Sequence, residues 1–224
     1  VSADLKALKR RAATRAAQEV ASGMVVGLGT GSTAALAVQE IGRRLAEGEI
    51  ERIVGIPTSA RTGQLAGELG IPVTTLEEHP VVDLTIDGAD EVDPDGNLIK
   101  GGGGALLWEK IVAAATRRYL IVVDDSKLVT RLGEGFPVPV EVMPFGWSTH
   151  FDAMQALGGK PALRRDKAGN PFVTDGGHYI VDCRFPGGLD DPAAADRTLV
   201  VRPGVIETGL FLDMSPEVIV GRPE

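Results

Sequence analysis

The stretch MVVGLGTGSTAALAVQEIGRRLA, Met24 to Ala46, holds a complete strand–loop–helix unit. MVVGLG is a short apolar run, and from about Ser32 to Ala46 the apolar residues recur with helical spacing. Between them, Gly27-Leu28-Gly29-Thr30-Gly31-Ser32-Thr33 reads as a tight strand-to-helix turn. The same grammar repeats outward. Upstream, Leu5, Leu8, Ala12, Ala16 and Val20 have helical spacing ahead of a Ser22-Gly23 stop. Downstream, RIVGI leads through Pro57-Thr58-Ser59 into a helix near Arg61 to Leu69. VVDLTID and YLIVVD are further strands, separated by a helix from about Ala105 to Ala115. Helices alternating with almost continuously apolar strands imply an α/β fold, a Rossmann-like and mostly parallel sheet covered by helices.

After Lys127 the texture changes, and Pro137, Pro139, Pro144 and Gly146 crowd together. A helix pattern follows from Ser148 to Leu157, then short strands around Ala162–Arg165, Phe172–Thr174 and Tyr179–Cys183. Ala168-Gly169-Asn170 and Gly176-Gly177 supply the turns of an antiparallel set. A helix near Pro192 to Val200 and a strand at Gly204–Glu207 complete a smaller α+β domain of ferredoxin-like type. The expected division is 1–130 for the α/β domain, 131–206 for the small one, and 207–224 returning to the first through the strand VIVG at Val218–Gly221.

Composition narrows the function. The 224 residues include 31 Asp plus Glu against 23 Lys plus Arg, a formal charge of −8, which opposes general affinity for nucleic-acid phosphates. Aromatics at 4% supply little stacking surface for single strands. No nucleic-acid partner is expected, and no membrane partner, because no apolar run reaches about 18 residues. The single cysteine, Cys183, lies in a strand-like run and reads as a small core hydrophobe. His79, His150 and His178 lack metal-ligand spacing, so no metal site is expected, and with one cysteine and no signal-peptide pattern the setting reads as reducing and cytoplasmic.

Glycines gather at strand ends, where an α/β sheet binds ligands. In the first cluster, small residues, the hydroxyls of Thr30, Ser32 and Thr33, and a helix amino end suit an anion; the plain alternative is a turn capped by Ser32 or Thr33. A nucleotide P-loop needs Lys after the last Gly, where Ser32 stands, and the dinucleotide fingerprint needs a third Gly spacing that is absent. A small phosphorylated metabolite fits better. Asp87-Gly88-Ala89-Asp90-Glu91 places carboxylates about a Gly turn, suited to sugar hydroxyls or proton handling. The following EVDPDG fails the calcium register at Lys100 and Gly102. Lys100-Gly101-Gly102-Gly103-Gly104 is too glycine-rich for a plain turn and points to close backbone approach to a ligand, with Lys100 as a cation and Glu109 as a candidate base. In Asp124-Asp125-Ser126-Lys127, Lys127 ends a strand and suits the same ligand.

In this order and spacing the clusters resemble the ribose-5-phosphate isomerase A family. GLGTGSTA, IPTSARTGQLA, DLTIDGADEVDPDGNLIKGGGGALLWEKI, VVDDSK, PVPVEVMPFGW and GLFLDMSPEVIVG carry the likeness over essentially the whole chain. The resemblance implies cofactor-free and metal-free interconversion of ribose 5-phosphate and ribulose 5-phosphate, with Glu109 as base. It implies substrate contacts at Thr30, Gly31, Ser32, Thr33, Asp87, Gly88, Ala89, Asp90, Lys100, Gly101, Gly102, Gly103, Lys127 and Lys9, with Asp87, Asp90 and Lys100 also serving catalysis. It further implies a homodimer or homotetramer. Trp108 stands where Arg is common, and Thr208 where His is common. A sugar-phosphate sensor would carry a helix-turn-helix for which the stretch before Met24 is too short, and an amino-sugar phosphate deaminase would carry Asp and His motifs absent here.

Overall fold

In a computed structural model that describes residues 3–222, the elements alternate at first and then change character. In chain order they are α1 (Ala3–Ala17), β1 (Val25–Leu28), α2 (Ala34–Ala46), β2 (Val54–Pro57), α3 (Ala60–Glu68), β3 (Val82–Asp87), β4 (Glu91–Val92), β5 (Leu98–Ile99), α4 (Leu106–Ala114) and β6 (Thr116–Asp124). Then come β7 (Val138–Val142), α5 (Phe151–Ala156), β8 (Lys160–Leu163), β9 (Tyr179–Arg184), α6 (Pro192–Val200), β10 (Val205–Thr208), β11 (Leu210–Phe211) and β12 (Glu217–Gly221). Two compact units result, one of residues 3–89, 108–127 and 214–222, the other of 90–107 and 128–213.

The first unit is built on a five-stranded parallel sheet in the order β12-β6-β3-β1-β2. Successive strands leave β1 toward β2 and β3 toward β6, so the crossovers diverge between β1 and β3, the place where such sheets leave a crevice. Ala12, Ala13, Ala16 and Ala17 of α1 are buried with Val38 and Ile41 of α2 and Leu84, Ile86, Leu120 and Val122 of the sheet. Alanines at i and i+4 give α1 a smooth face that fits closely on the strands. Val112 of α4 joins Ile56 and Val82 in a separate cluster. The last strand, β12, lies in this sheet parallel to β6, with Gly221 opposite Asp124.

The second unit holds an antiparallel sheet, β10-β7-β9-β8, and a three-stranded one, β11-β5-β4. Its Pro-rich segment carries no strand pattern, yet β7 there is an interior strand. Its Pro139 is tolerated because the carbonyl accepts from Gly209 N–H at 2.7 Å, so the nitrogen faces the same side, past the last β10 pair at Thr208 and Val140. Phe172–Thr174 forms isolated bridges rather than the expected strand. Residues 90–107 group here and not with the parallel sheet, because β5 pairs with β11 and the buried Glu91 carboxylate accepts from the N–H groups of Gly133, Gly135 and Phe136 at 2.6–2.7 Å.

Cys183 has no exposed surface, and burial pushes its thiol up to about 12. A thiolate therefore forms in the native protein only in strong alkali. Native protein at about pH 8 is expected to leave Ellman's reagent unreacted, and denaturant to release one thiol. Rapid native labelling would contradict this burial.

Candidate active site

The parallel sheet sets the carboxyl ends of β1, β3 and β6 side by side, and the loops after them carry most of the residues singled out in the first unit. The chain turns out of β1 at Gly29, whose N–H donates to Ile86 O of β3 at 3.0 Å. A Cβ on Gly29 would lie 2.3 Å from Asp87 Oδ1 and 2.5 Å from Asp87 Cα, so glycine is required by contact alone. Asp87, with no exposed surface, uses Oδ1 to accept from Thr30 N–H at 3.0 Å and from Gly88 N–H at 2.8 Å. One carboxylate oxygen thus ties the β1 loop to the β3 loop, and Ala89 follows directly.

Thr33 occupies the N-cap of α2 but makes no side-chain capping bond, so its hydroxyl is not spent on the helix end. Ser32 Oγ accepts from Lys9 Nζ at 3.0 Å, and Lys9 Nζ lies 3.8 Å from Asp124 Oδ2. Lys9 reaches this edge on α1, which packs on α2, β6 and β12; Gly221 of β12 leaves room for Leu8, since a Cβ there would lie 2.1 Å from Leu8 O. Asp124, 1% exposed at the end of β6, turns Oδ1 to the N–H and hydroxyl of Ser126. The single 3-10 turn that follows, Asp125–Lys127, carries half-buried Lys127.

Four hydroxyls support the glycine loop. Thr30 Oγ1 is within 2.8 Å of Thr58 Oγ1 and Ser59 Oγ and 3.2 Å from Thr62 Oγ1, while Thr62 Oγ1 donates to Gly29 O. Thr58 and Ser59 follow β2, at the same sheet edge. This Thr-Ser pair is not among the site residues expected from the sequence, although its place after a strand is the available signal. Glu109 is buried in the first turn of α4, at 4% exposure. Its neighbour Trp108, the departure from the family pattern, is exposed instead and borders an apolar groove with Ile56, Pro57, Val73 and Ile111.

In the second unit Lys100 is almost wholly buried, its Nζ 5.4 Å from the Phe211 ring centroid. Half-buried Asp90 accepts from Gly102 N–H through Oδ2 at 2.7 Å, and a Cβ on Gly102 would meet this carboxylate at 2.6 Å. Gly101 (φ +104°) and Gly104 (φ +83°) adopt left-handed backbone, and Gly104 N–H closes the turn on Gly101 O at 3.0 Å. Gly102 and Gly103 are exposed at its tip. Among the described residues no group of three or more His, Cys, Asp or Glu side chains converges as a metal-binding set.

The family profile described as ribose 5-phosphate isomerase A (phosphoriboisomerase A) matches residues 54–224. The chain belongs to this family. A ribose-5-phosphate isomerase A of Roseiflexus castenholzii is 51% identical over 96% of this chain and 92% of its own length. One from Thermosynechococcus vestitus is 50% identical over 97% of this chain and 92% of its own. Among solved structures, a D-ribose-5-phosphate isomerase in complex with phospho-erythronic acid superposes with a TM-score of 0.94 at 42% identity, covering 97% of this chain and 95% of that one. The Methanocaldococcus jannaschii ribose 5-phosphate isomerase A gives 0.90 at 42% identity, covering 96% and 94%. The ribose 5-phosphate isomerase A fold, a parallel sheet with a smaller antiparallel unit, is therefore the fold of this chain.

Two glycines of the first loop separate packing from backbone strain. Gly29→Ala forces a side chain into Asp87 and is expected to cost about 1–3 kcal/mol in urea unfolding, with loss of substrate affinity. A Cβ on Gly31 meets nothing within 4 Å, but φ is +112°, so Gly31→Ala pays backbone strain alone, about 1 kcal/mol. Equal costs would contradict the contact argument.

Proposed function

We propose that this chain interconverts ribose 5-phosphate and ribulose 5-phosphate, with Glu109 moving the proton between C1 and C2 through an enediolate. Membership of the family carries the reaction class, and the buried carboxylate of Glu109 at the start of α4 carries the choice of base. A positioned carboxylate removes the proton as a base and returns it as an acid on the same face of the substrate. The charge that develops on oxygen calls for donors fixed in advance, and Lys100 with backbone N–H of the glycine loop supplies them. Asp87 and Asp90 handle ring opening and hydroxyl contacts, half-buried Asp90 being the more accessible of the two.

The phosphate is received by Thr30, Gly31, Ser32 and Thr33, by the amino end of α2, and by Lys9 and Lys127, with Gly88 and Ala89 lining the sugar. The 3.0 Å contact from Lys9 to Ser32 supports this reading, since it sets a cation on the loop that has the hydroxyls. Binding energy from this remote group holds the reacting carbons in place. The site is read as cytoplasmic and needs neither metal nor cofactor, and the assembly as a homodimer or homotetramer.

Ketose formation from ribose 5-phosphate with EDTA present tests the activity, and dependence on added metal would contradict the mechanism. Glu109→Gln is expected to keep substrate affinity while kcat falls by at least about 10²-fold. Near-normal kcat in that variant would remove Glu109 as the base. Replacing Lys127 or Lys9 by Ala should raise KM far more than it lowers kcat, and an unchanged KM would count against the phosphate role.

A further inference from the structure

Arg164, just past β8, is half-buried and holds the glycine loop by its carbonyls. Its Nη1 donates to Gly101 O at 2.7 Å and to Gly102 O at 3.3 Å. Its Nε and Nη2 donate to Asp182 Oδ2 and Oδ1 at 2.8 and 2.5 Å, a two-bonded pair that fixes the plane of the guanidinium. The same group lies 5.8 Å from the centroid of the Phe172 ring. That ring fills the space beside Gly104, where a Cβ would lie 2.4 Å from it. Arg164 and Phe172, both from the segment between β8 and β9, therefore hold both halves of the loop at once.

The peptide plane gives this grip a chemical meaning. In a trans peptide the C=O and the next residue's N–H point to opposite sides. With Gly102 O turned to Arg164, the Gly103 N–H is turned away from it, at an exposed residue. Gly102 N–H is engaged by Asp90, and Gly104 N–H by Gly101 O. Gly103 N–H is thereby left as the loop's outward donor.

We propose that Arg164 is a positioning residue of the isomerase, holding the Gly102–Gly103 peptide so that Gly103 N–H meets the oxygen that becomes charged in the enediolate. The inference rests on the isomerase reading above. Four glycines leave a backbone with many conformations, and a donor that had to reorient during turnover would stabilise that charge less. The Asp182 carboxylate balances the Arg164 charge, so Arg164 acts by orientation and not by attracting the anion. A planar fork spans two carbonyls and a carboxylate together, which a lysine ammonium does not.

The test compares Arg164→Ala, Arg164→Lys and Asp182→Asn, the last leaving the guanidinium but loosening its hold. Each is measured for kcat and KM with ribose 5-phosphate and for inhibition by phospho-erythronic acid, whose carboxylate mimics the enediolate. Arg164→Ala is expected to lower kcat about 10- to 100-fold with KM within about two-fold, and to weaken the inhibitor more than the substrate. Added guanidinium ion should restore part of that loss, and Asp182→Asn should fall between wild type and Arg164→Ala. Full kcat in Arg164→Ala, or kcat and KM changing together without guanidinium rescue, overturns the proposal. If Arg164→Ala does not fold, Arg164→Lys and Asp182→Asn decide it: a drop in kcat at fixed KM supports it, and parallel changes overturn it. Wild-type protein that does not turn over ribose 5-phosphate removes the isomerase reading and this inference together, whereas an active wild type with an undiminished Arg164→Ala removes the Arg164 role alone.

Discussion

Asp87 has no exposed surface, and its Oδ1 is where the loop after β1 meets the loop after β3. A carboxylate buried in this way is costly unless donors surround it, and here backbone N–H groups are among those donors. The bond runs in both senses, since the carboxylate is satisfied by the loops and the loops are immobilised by the carboxylate. Gly29 must lack a side chain for this contact to close, and Thr30, once held, gathers the hydroxyls of Thr58, Ser59 and Thr62. The second unit repeats the device, with Asp90 on Gly102 N–H and Glu91 on three N–H groups of residues 133–136. An acidic chain thus spends part of its excess carboxylate as clamps on glycine-rich backbone.

That use of charge bears on how an anion is received by a protein of net charge −8. Lys9 and Lys127 are the full charges that the proposed function assigns to the anion. Lys9 is close to Asp124, so its field is partly balanced. On the proposed reading the remaining attraction would be local and directional: hydroxyls on a braced loop, the amino end of α2, and a lysine aimed at Ser32. Donors of this kind act at contact distance and are screened little by salt, whereas a diffuse basic surface would attract any polyanion.

The parallel sheet was legible because its strands are buried on both faces and announce themselves as apolar runs, as in VVDLTID and YLIVVD. The glycine clusters were legible because several of their glycines are demanded by contact or by positive φ: Gly29, Gly101, Gly102 and Gly104 each answer to one of these. β7 was hidden because Pro139 marks a loop unless its nitrogen falls beyond the end of a neighbouring strand, which only the register with β10 decides. Arg164 and Phe172 were hidden for a similar reason. They lie more than sixty positions from the glycines they hold, and nothing local distinguishes them from surface residues. The grouping of residues 90–107 with the smaller unit also depends on distant pairing, of β5 with β11.

The docking of α1 over β12 has a consequence for the order in which the protein assembles. Lys9, among the first residues of the chain, reaches Ser32 along a helix that lies against Gly221, among the last. The surface beneath this helix is therefore completed only when β12 has paired with β6 beside the α2 face on which α1 also packs. A nascent or partly folded molecule can form the β1–α2 loop early, from residues adjacent in sequence, whereas the contact of Leu8 with Gly221 joins segments far apart in the chain and forms late. On the phosphate role proposed above, full competence to hold the anion would then come with the finished fold, later than the glycine turn itself.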